Sequence, residues 1–247
     1  MTQELLLSAV LAIWLIPFLF GGHFRLGATH GRRSLLSAAA GIAVGYVFID
    51  LLPEMARLQE EFTTAAAGLG RPFFRYRVYS SAMIGFVFFF VLENMVVSAR
   101  AEARSPEAGE NAMYWAHLMG FTAYGGLMSY LLWAEEEFDP AGLALYSLAM
   151  FLHFWTVDHS LREEHGARYD RYGRWVVVAG LVAGALVGGR GVTSELWVPT
   201  IMGFIGGGVV INSLKDELPG RGEGRAMPFV LGAFGYSLLL LVLGTRH

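Results

Sequence analysis

The sequence predicts an all-α polytopic membrane protein with about eight transmembrane helices, and three observations support that fold class. Hydrophobic residues make up 55% of the 247 residues and charged residues only 16%, whereas about a quarter of the residues in a soluble domain are charged. The apolar residues fall in blocks of about twenty, the length that crosses a bilayer as a helix. The 31 glycines agree with this class, because glycine lets membrane helices approach closely.

The apolar blocks define eight predicted helices in a single transmembrane domain that covers residues 1–247. The predicted spans are 4–21, 34–53, 78–99, 113–134, 141–161, 173–189, 194–215 and 226–244. The chain starts MTQELLLSAV, which lacks the basic region of a signal peptide, so the first block is expected to be a retained helix.

The distribution of Arg and Lys predicts the orientation. Twelve of these residues follow predicted helices one, three, five and seven, and six lie on the opposite side. Basic residues accumulate on the cytoplasmic side, so both termini are predicted to lie outside the cytoplasm. Arginine far outnumbers lysine, which suggests a GC-rich bacterial gene and hence the bacterial inner membrane. On this orientation the loop EEEFD (135–139) is predicted to face outward. Its carboxylates either concentrate cations near the outer mouth or form an ordinary solvated loop.

Composition also excludes some classes of function. The chain has no cysteine, which excludes disulfides, thiolate metal sites and cysteine nucleophiles. Its net charge is −3 and no basic stretch is interleaved with aromatic residues, so no nucleic-acid partner is expected. The expected partners are the lipid bilayer and a ligand held by the polar residues of the helices, and the glycine-rich helices permit a homodimer.

Acidic and amide residues inside the predicted helices or directly at their ends mark a candidate transport path, because polar groups in a membrane are costly and face the bundle interior. Asp50 and Glu54 are four apart, on one face of helix two, and Pro53 between them is expected to bend or end that helix. The plainer alternative is that several of these residues lie at helix ends. The candidate path residues are Asp50, Glu54, Glu93, Asn212, Asp216 and Glu217.

Three histidines and an aspartate on helices four and five are candidate metal ligands. Asp158 and His159 follow His153 by five and six positions, so they do not share one stripe of an ideal helix. A joint site needs a kink or a second helix, and His117 on helix four is the natural partner. Histidine with carboxylate and no thiolate suits Zn²⁺, Mn²⁺ or Fe²⁺. Alternatively, His117 is a helix-to-helix hydrogen-bonding group and helix five leaves the membrane near Asp158.

Helices two and seven share a sequence pattern. Helix two reads AAAGIAVGYVFIDLLPEM and helix seven reads IMGFIGGGVVINSLKDELPG. In both, small residues precede an isoleucine and a polar residue (Ile49-Asp50 and Ile211-Asn212), and leucine, an acid and proline follow. The two helices run in opposite directions if there are eight spans. Similar sequence in opposite orientation is typical of the inverted repeats of transporters.

These motifs resemble the ZIP family of divalent metal transporters. GYVFIDLLPE is similar to the LLPE ending of that family's helix two, and GFVFFFVLE (85–93) is similar to its glycine-phenylalanine-glutamate helix three. GGGVVINSLKDELP is similar to its helix seven. The resemblance implies eight spans with both termini outside, in a three-plus-two-plus-three arrangement whose outer triplets are inverted repeats. It also implies transport of a divalent cation, zinc above all, through a site between helices four and five.

The chain departs from the family pattern in the ligand motifs. His117 and His153 match the family's histidines and Asp158 matches the last acid of helix five, with His159 as a substitute ligand. These four could hold one metal, whereas a two-metal site is not expected. The departures are Leu118 and Phe121 on helix four, and Phe154, Thr156 and Val157 on helix five.

Three functions follow from this pattern. The first is ZIP-like transport of a divalent cation of the Zn, Mn or Fe type, in which the metal is the substrate and the protein is not an enzyme. The second is a ZIP-shaped protein without metal transport, acting as a sensor, an assembly partner or a carrier of something else. The third is an intramembrane metal-dependent hydrolase, since histidines and an aspartate can hold a catalytic zinc with a site open for water.

Overall fold

A computed structural model describes residues 3–22, 30–65, 76–101, 107–134, 140–191, 197–214 and 225–243. Within these ranges the regular secondary structure is helical and includes no strand. The helices are α1 (Gln3–Phe20), α2 (His30–Tyr46), α3 (Leu52–Ala65), α4 (Arg77–Ala101), α5 (Glu107–Ala134), α6 (Pro140–Arg168), α7 (Arg174–Gly188), α8 (Val198–Leu214) and α9 (Ala226–Leu243). The predicted all-α class is confirmed.

Five helical runs of the described residues are long and apolar enough to cross a membrane. They are Gln3–Phe20, Ser34–Glu61, Arg77–Met95, Pro140–Gly188 and Ala226–Leu243. The apolar helix Val198–Asn212 is shorter. Large apolar side chains such as Phe90 and Phe234 are exposed on the outer faces of α4 and α9, where a bilayer would cover them. The chain is therefore an integral membrane protein, and the count of eight spans stays a prediction.

The second predicted span does not end at Pro53. A π-helical turn, Val47–Leu51, joins α2 to α3, and the Leu52 N–H bonds to the Val47 carbonyl five residues back. Pro53 comes just after this turn, where the backbone hydrogen bonds shift register, so its missing N–H falls beside the irregularity and does not end the helical run. The helix therefore continues as far as Ala65, well beyond the predicted end.

Three helix pairs pack most closely: α2 with α9, α4 with α8, and α5 with α7. Glycines make these close approaches. Gly184 of α7, for example, lies directly against the backbone of Gly126 on α5, with no room for a Cβ atom. The abundance of glycine is thus explained by packing, because a small residue lets two backbones meet.

A layer of buried aromatic side chains crosses the middle of the bundle. Trp14 of α1 packs edge-on against Phe154 of α6 at 5.5 Å between ring centroids, and Phe89 of α4 packs against Tyr124 of α5 at 4.9 Å. All four rings are almost fully buried. This aromatic layer separates a cavity at one end of the bundle from a polar cluster at the other.

The register of α5 and α6 decides which residues share a level. Tyr124 contacts His153 and His117 contacts His165, so residue numbers rise along α6 as they fall along α5. The two helices are therefore antiparallel. Residues near the start of α5 face residues near the end of α6.

Candidate cation site

His117 is the centre of a polar cluster at the end of the bundle formed by the start of α5 and the end of α6. Its side chain is fully buried, at 0% exposed. Glu93 of α4 approaches one side of the ring, and Glu164 and His165 of α6 approach the other. Three helices therefore converge on one imidazole.

The two ring nitrogens of His117 have different neighbours. Nδ1 lies 2.9 Å from His165 Nε2 and 3.1 Å from Glu164 Oε2. Nε2 lies 3.3 Å from Glu93 Oε1. The ligand atoms of His117, Glu164 and His165 all fall within 4.8 Å of one another, so His117 and the two groups at its Nδ1 atom form a set of three that could hold a metal ion.

The spacing of these atoms suits a metal ion. Zinc bonds of about 2.0 to 2.1 Å in a tetrahedron place neighbouring ligand atoms about 3.3 Å apart. The 2.9 Å and 3.1 Å separations around His117 Nδ1 are close to that value. With its proton on Nε2, His117 could offer Nδ1 to a metal ion and would donate to Glu93, the kind of carboxylate partner that ligating histidines commonly have.

A break in α6 sets the position of Glu164 and His165. Gly166, the next residue, has φ +53° and ψ −135°, outside the helical range, and φ in that range strongly favours glycine. The His165 ring packs edge-on against Tyr114 at 4.9 Å, and the Arg168 guanidinium stacks 3.9 Å from the same tyrosine ring. These contacts hold the end of α6 against the start of α5.

The other three predicted metal ligands have different neighbours. His153 Nε2 lies 3.1 Å from the Tyr124 hydroxyl, and His159 lies 3.3 Å from Glu163. His153 is level with Tyr124, which is two helical turns, or about 10 Å, from His117. Of the predicted set, the structure therefore brings only His117 into the three-ligand group, and the four-residue metal site stays a prediction.

Asp158 belongs to an ion-pair network beside the cluster. Its buried carboxylate accepts hydrogen bonds from the Arg162 guanidinium at 2.9 Å and from the Tyr169 hydroxyl at 2.9 Å. Arg162 also pairs with Asp170. Gly21, just beyond α1, lies against Asp158 with no room for a side chain. This network joins the end of α1 to α6 and to the π-helical turn Tyr169–Gly173 that leads into α7.

The candidate path residues fall at both ends of the bundle. Asp50 and Glu54 line the cavity, whereas Glu93 belongs to the cluster around His117. Asn212 on α8 is buried at 4% exposed. Asp216, Glu217 and the loop 135–139 lie outside the described residues.

Sequence reasoning missed Glu164 and His165 as candidate ligands. Both lie in the polar stretch REEH (162–165), which has the composition of a helix leaving the membrane. The available signal was Gly166, since a glycine after this stretch can end a helix sharply and keep the preceding residues inside the bundle.

Comparison with known proteins adds no assignment. No model of a known protein family matches the chain, and no curated protein matches it. The likeness to ZIP transporters therefore stands on the motifs in the sequence, and what it implies stays a prediction.

Proposed function

We propose that this protein carries a divalent metal cation of the Zn, Mn or Fe type across the bacterial inner membrane, with a ZIP-like arrangement of about eight spans. The observation that carries the proposal is the surroundings of His117. A fully buried imidazole has a carboxylate and a second histidine at one nitrogen and another carboxylate at the other. Buried polar groups of this kind in a membrane bundle mark ion paths. The proposed cation site is therefore His117 with Glu164 and His165, supported by Glu93.

The packing of α2 against α9 supports the inverted repeat that such a transporter needs. On α2, Gly41 lies against the carbonyl of Phe229 and Gly45 against the carbonyl of Ala233. Two glycines four residues apart thus meet two carbonyls four residues apart on the partner helix.

The packing of α4 against α8 repeats this arrangement. On α8, Gly203 lies against the carbonyl of Val78 and Gly207 against the carbonyl of Ala82. An inverted repeat of the first three and last three predicted spans would make α2 the counterpart of α8, and α4 the counterpart of α9. The two glycines of α2 that face α9 then correspond to the two glycines of α8 that face α4, as expected of two halves related by inverted symmetry.

The contrast between the two ends of the bundle supports alternating access. The end that carries Asp50 and Glu54 is open as a cavity, and on the predicted orientation it faces outward. The aromatic layer, with the Tyr124–His153 contact, lies between this cavity and His117. An outward-facing carrier has this form, with its path blocked beyond the open half.

Metal uptake into proteoliposomes with an entrapped zinc indicator tests the proposal. Glu164 and Glu163 are adjacent, but their side chains are 10% and 58% exposed, so they form a matched pair. Glu164→Gln is expected to lower the Zn²⁺ uptake rate at least ~10-fold, since a ligand is lost, and Glu163→Gln to leave it near wild type. Equal uptake by both variants, or none by the wild type above empty liposomes, would contradict the proposal.

The second candidate is a ZIP-shaped protein without metal transport. It is favoured by the hydrogen bonds of two retained family positions, His153 with Tyr124 and Asp158 with Arg162 and Tyr169. A carboxylate paired with arginine is not available to a metal unless that pair opens. Zinc that binds to the purified protein in a His117-dependent way, without uptake into proteoliposomes, would support this candidate over transport.

A further inference from the structure

The cavity at the Asp50 end of the bundle is large and mostly apolar. Its volume is about 1250 Å³, and its walls include Leu6, Val10, Leu143, Phe151 and Ile205. Pockets for organic molecules measure roughly 300 to 1,000 Å³ and are lined by apolar groups with a few polar ones. A bare or hydrated metal ion needs far less space and more oxygen ligands. The cavity therefore has room for a ligand much larger than the ion whose path it would open.

Three tyrosines and an aspartate form one wall of this cavity. Tyr46, Tyr146 and Tyr236 all line it together with Asp50, and the rings of Tyr46 and Tyr146 are 5.7 Å apart. Asp50 follows Tyr46 by four residues, about one helical turn, and lies with Tyr236 among the residues that line the cavity. Aromatic rings beside a carboxylate favour an organic cation, through the ring quadrupole and the negative charge.

The charges around the cavity also favour a cation. Arg57 is the only Arg or Lys among the described lining residues. Its guanidinium pairs with both Glu54 and Glu61, so its positive charge is compensated by two carboxylates. Asp50 then adds a further negative charge at a deeper position in the wall.

The helix geometry places Asp50 in an irregular segment. Asp50 lies in the π-helical turn Val47–Leu51, and such turns inside longer helices are frequent at functional sites. The turn rotates the residues after it relative to a regular helix, and it leaves Asp50, Leu51 and Glu54 all on the cavity wall.

We propose that this cavity binds an organic cation with an apolar body, whose charged group lies between Asp50 and the rings of Tyr46 and Tyr146. The apolar body occupies the part of the cavity that apolar residues of α1 and α6 line. The site is distinct from the metal site proposed at His117, which lies beyond the aromatic layer.

Binding of tritiated tetraphenylphosphonium to the full chain in phosphatidylglycerol nanodiscs tests this proposal. Tetraphenylborate, with the same shape and the opposite charge, is the matched ion. The wild type is expected to bind the phosphonium saturably above empty nanodiscs and not the borate. Asp50→Asn should weaken binding at least ~10-fold, while Glu60→Gln, an exposed acid on α3, should leave it unchanged.

A second pair of variants keeps the test decisive if Asp50→Asn does not fold. Tyr146→Phe retains an aromatic ring and is expected to bind like the wild type, whereas Tyr146→Leu should lose several-fold in affinity. Borate binding equal to phosphonium binding, or full affinity in both Asp50→Asn and Tyr146→Leu, would overturn the proposal. So would the absence of saturable phosphonium binding.

Two further measurements distinguish a lipid cation from a soluble one, and this cavity site from the metal site at His117. If phosphatidylethanolamine added to the nanodiscs displaces the probe, the natural cation is a lipid amine, and if it does not, the cation is soluble. The assay contains no metal, and His117→Ala is expected to bind the probe normally. A negative result in phosphonium binding therefore does not contradict the proposed metal transport, and a negative result in zinc uptake does not contradict the proposed cavity site.

Discussion

The Nδ1 atom of His117 lies 2.9 Å from the Nε2 atom of His165, although 48 residues separate them in the chain. The contact joins the start of α5 to the end of α6 and brings Glu164 to the same nitrogen. The Glu93 carboxylate lies at the other ring nitrogen, 3.3 Å away.

The zinc affinity is expected to depend strongly on His117 and less strongly on Glu93, which contacts its other ring nitrogen. His117→Ala removes the central ligand and should abolish binding to the proposed site. Glu93→Gln keeps a hydrogen-bond acceptor but loses the charge, so it should weaken zinc binding by about 10- to 100-fold. Competition with a chelating dye on the purified protein measures both. An affinity unchanged in His117→Ala would place the metal elsewhere.

Gly166 is expected to hold the cation site in shape through its backbone conformation. Alanine at φ +53° and ψ −135° would occupy a backbone region that side chains rarely adopt, at a cost of about 1 to 3 kcal/mol, and relief of that strain would move His165. Gly166→Ala should therefore lower both the unfolding temperature and the zinc affinity. Gly191→Ala is the control, because Gly191 also has positive φ, at 67°, but lies beyond α7. Loss of zinc affinity in both variants would argue against a local effect.

The α4–α8 contact is expected to tolerate no side chain at Gly207. A Cβ atom there would overlap the Ala82 carbonyl, and overpacking of this kind costs about 1 to 3 kcal/mol. Gly207→Ala should lower the melting temperature of the protein in detergent. Gly235→Ala on α9 has open space around the new methyl group and should melt at or above the wild-type temperature. Equal melting of the two variants would show that the helices are not in contact at Gly207.

The absence of native cysteine allows a clean test of the predicted orientation. Arg171→Cys lies in the connection between α6 and α7, and Arg190→Cys follows α7, both at exposed positions. A membrane-impermeant maleimide added to intact bacterial spheroplasts should label Cys at 190 and not at 171. The opposite pattern would place both termini inside the cytoplasm.

Part of the candidate site could be predicted from the sequence, and the rest could not. His117 and Glu93 stood out because each is a polar residue within an apolar block, where any polar group must face the bundle interior. Glu164 and His165 sit in a run of charged residues whose composition fits a helix that leaves the membrane. The glycine that follows permits a sharp turn but does not by itself specify one. Their role depends on which turn of α6 lies opposite His117.

The sequence by itself determined the helical class and the membrane location, because blocks of about twenty apolar residues bury their backbone hydrogen bonds only as helices in a bilayer. It also marked Asp50 and Glu54 as interior groups, and both line the cavity. Only the tertiary structure decided that His117 meets His165 rather than His153. The reason is physical: the level of α6 opposite α5 follows from how α5 packs on α7 and how α6 packs on α1 and α2, together with the break at Gly166. Packing of whole helices is not specified by any local stretch of sequence.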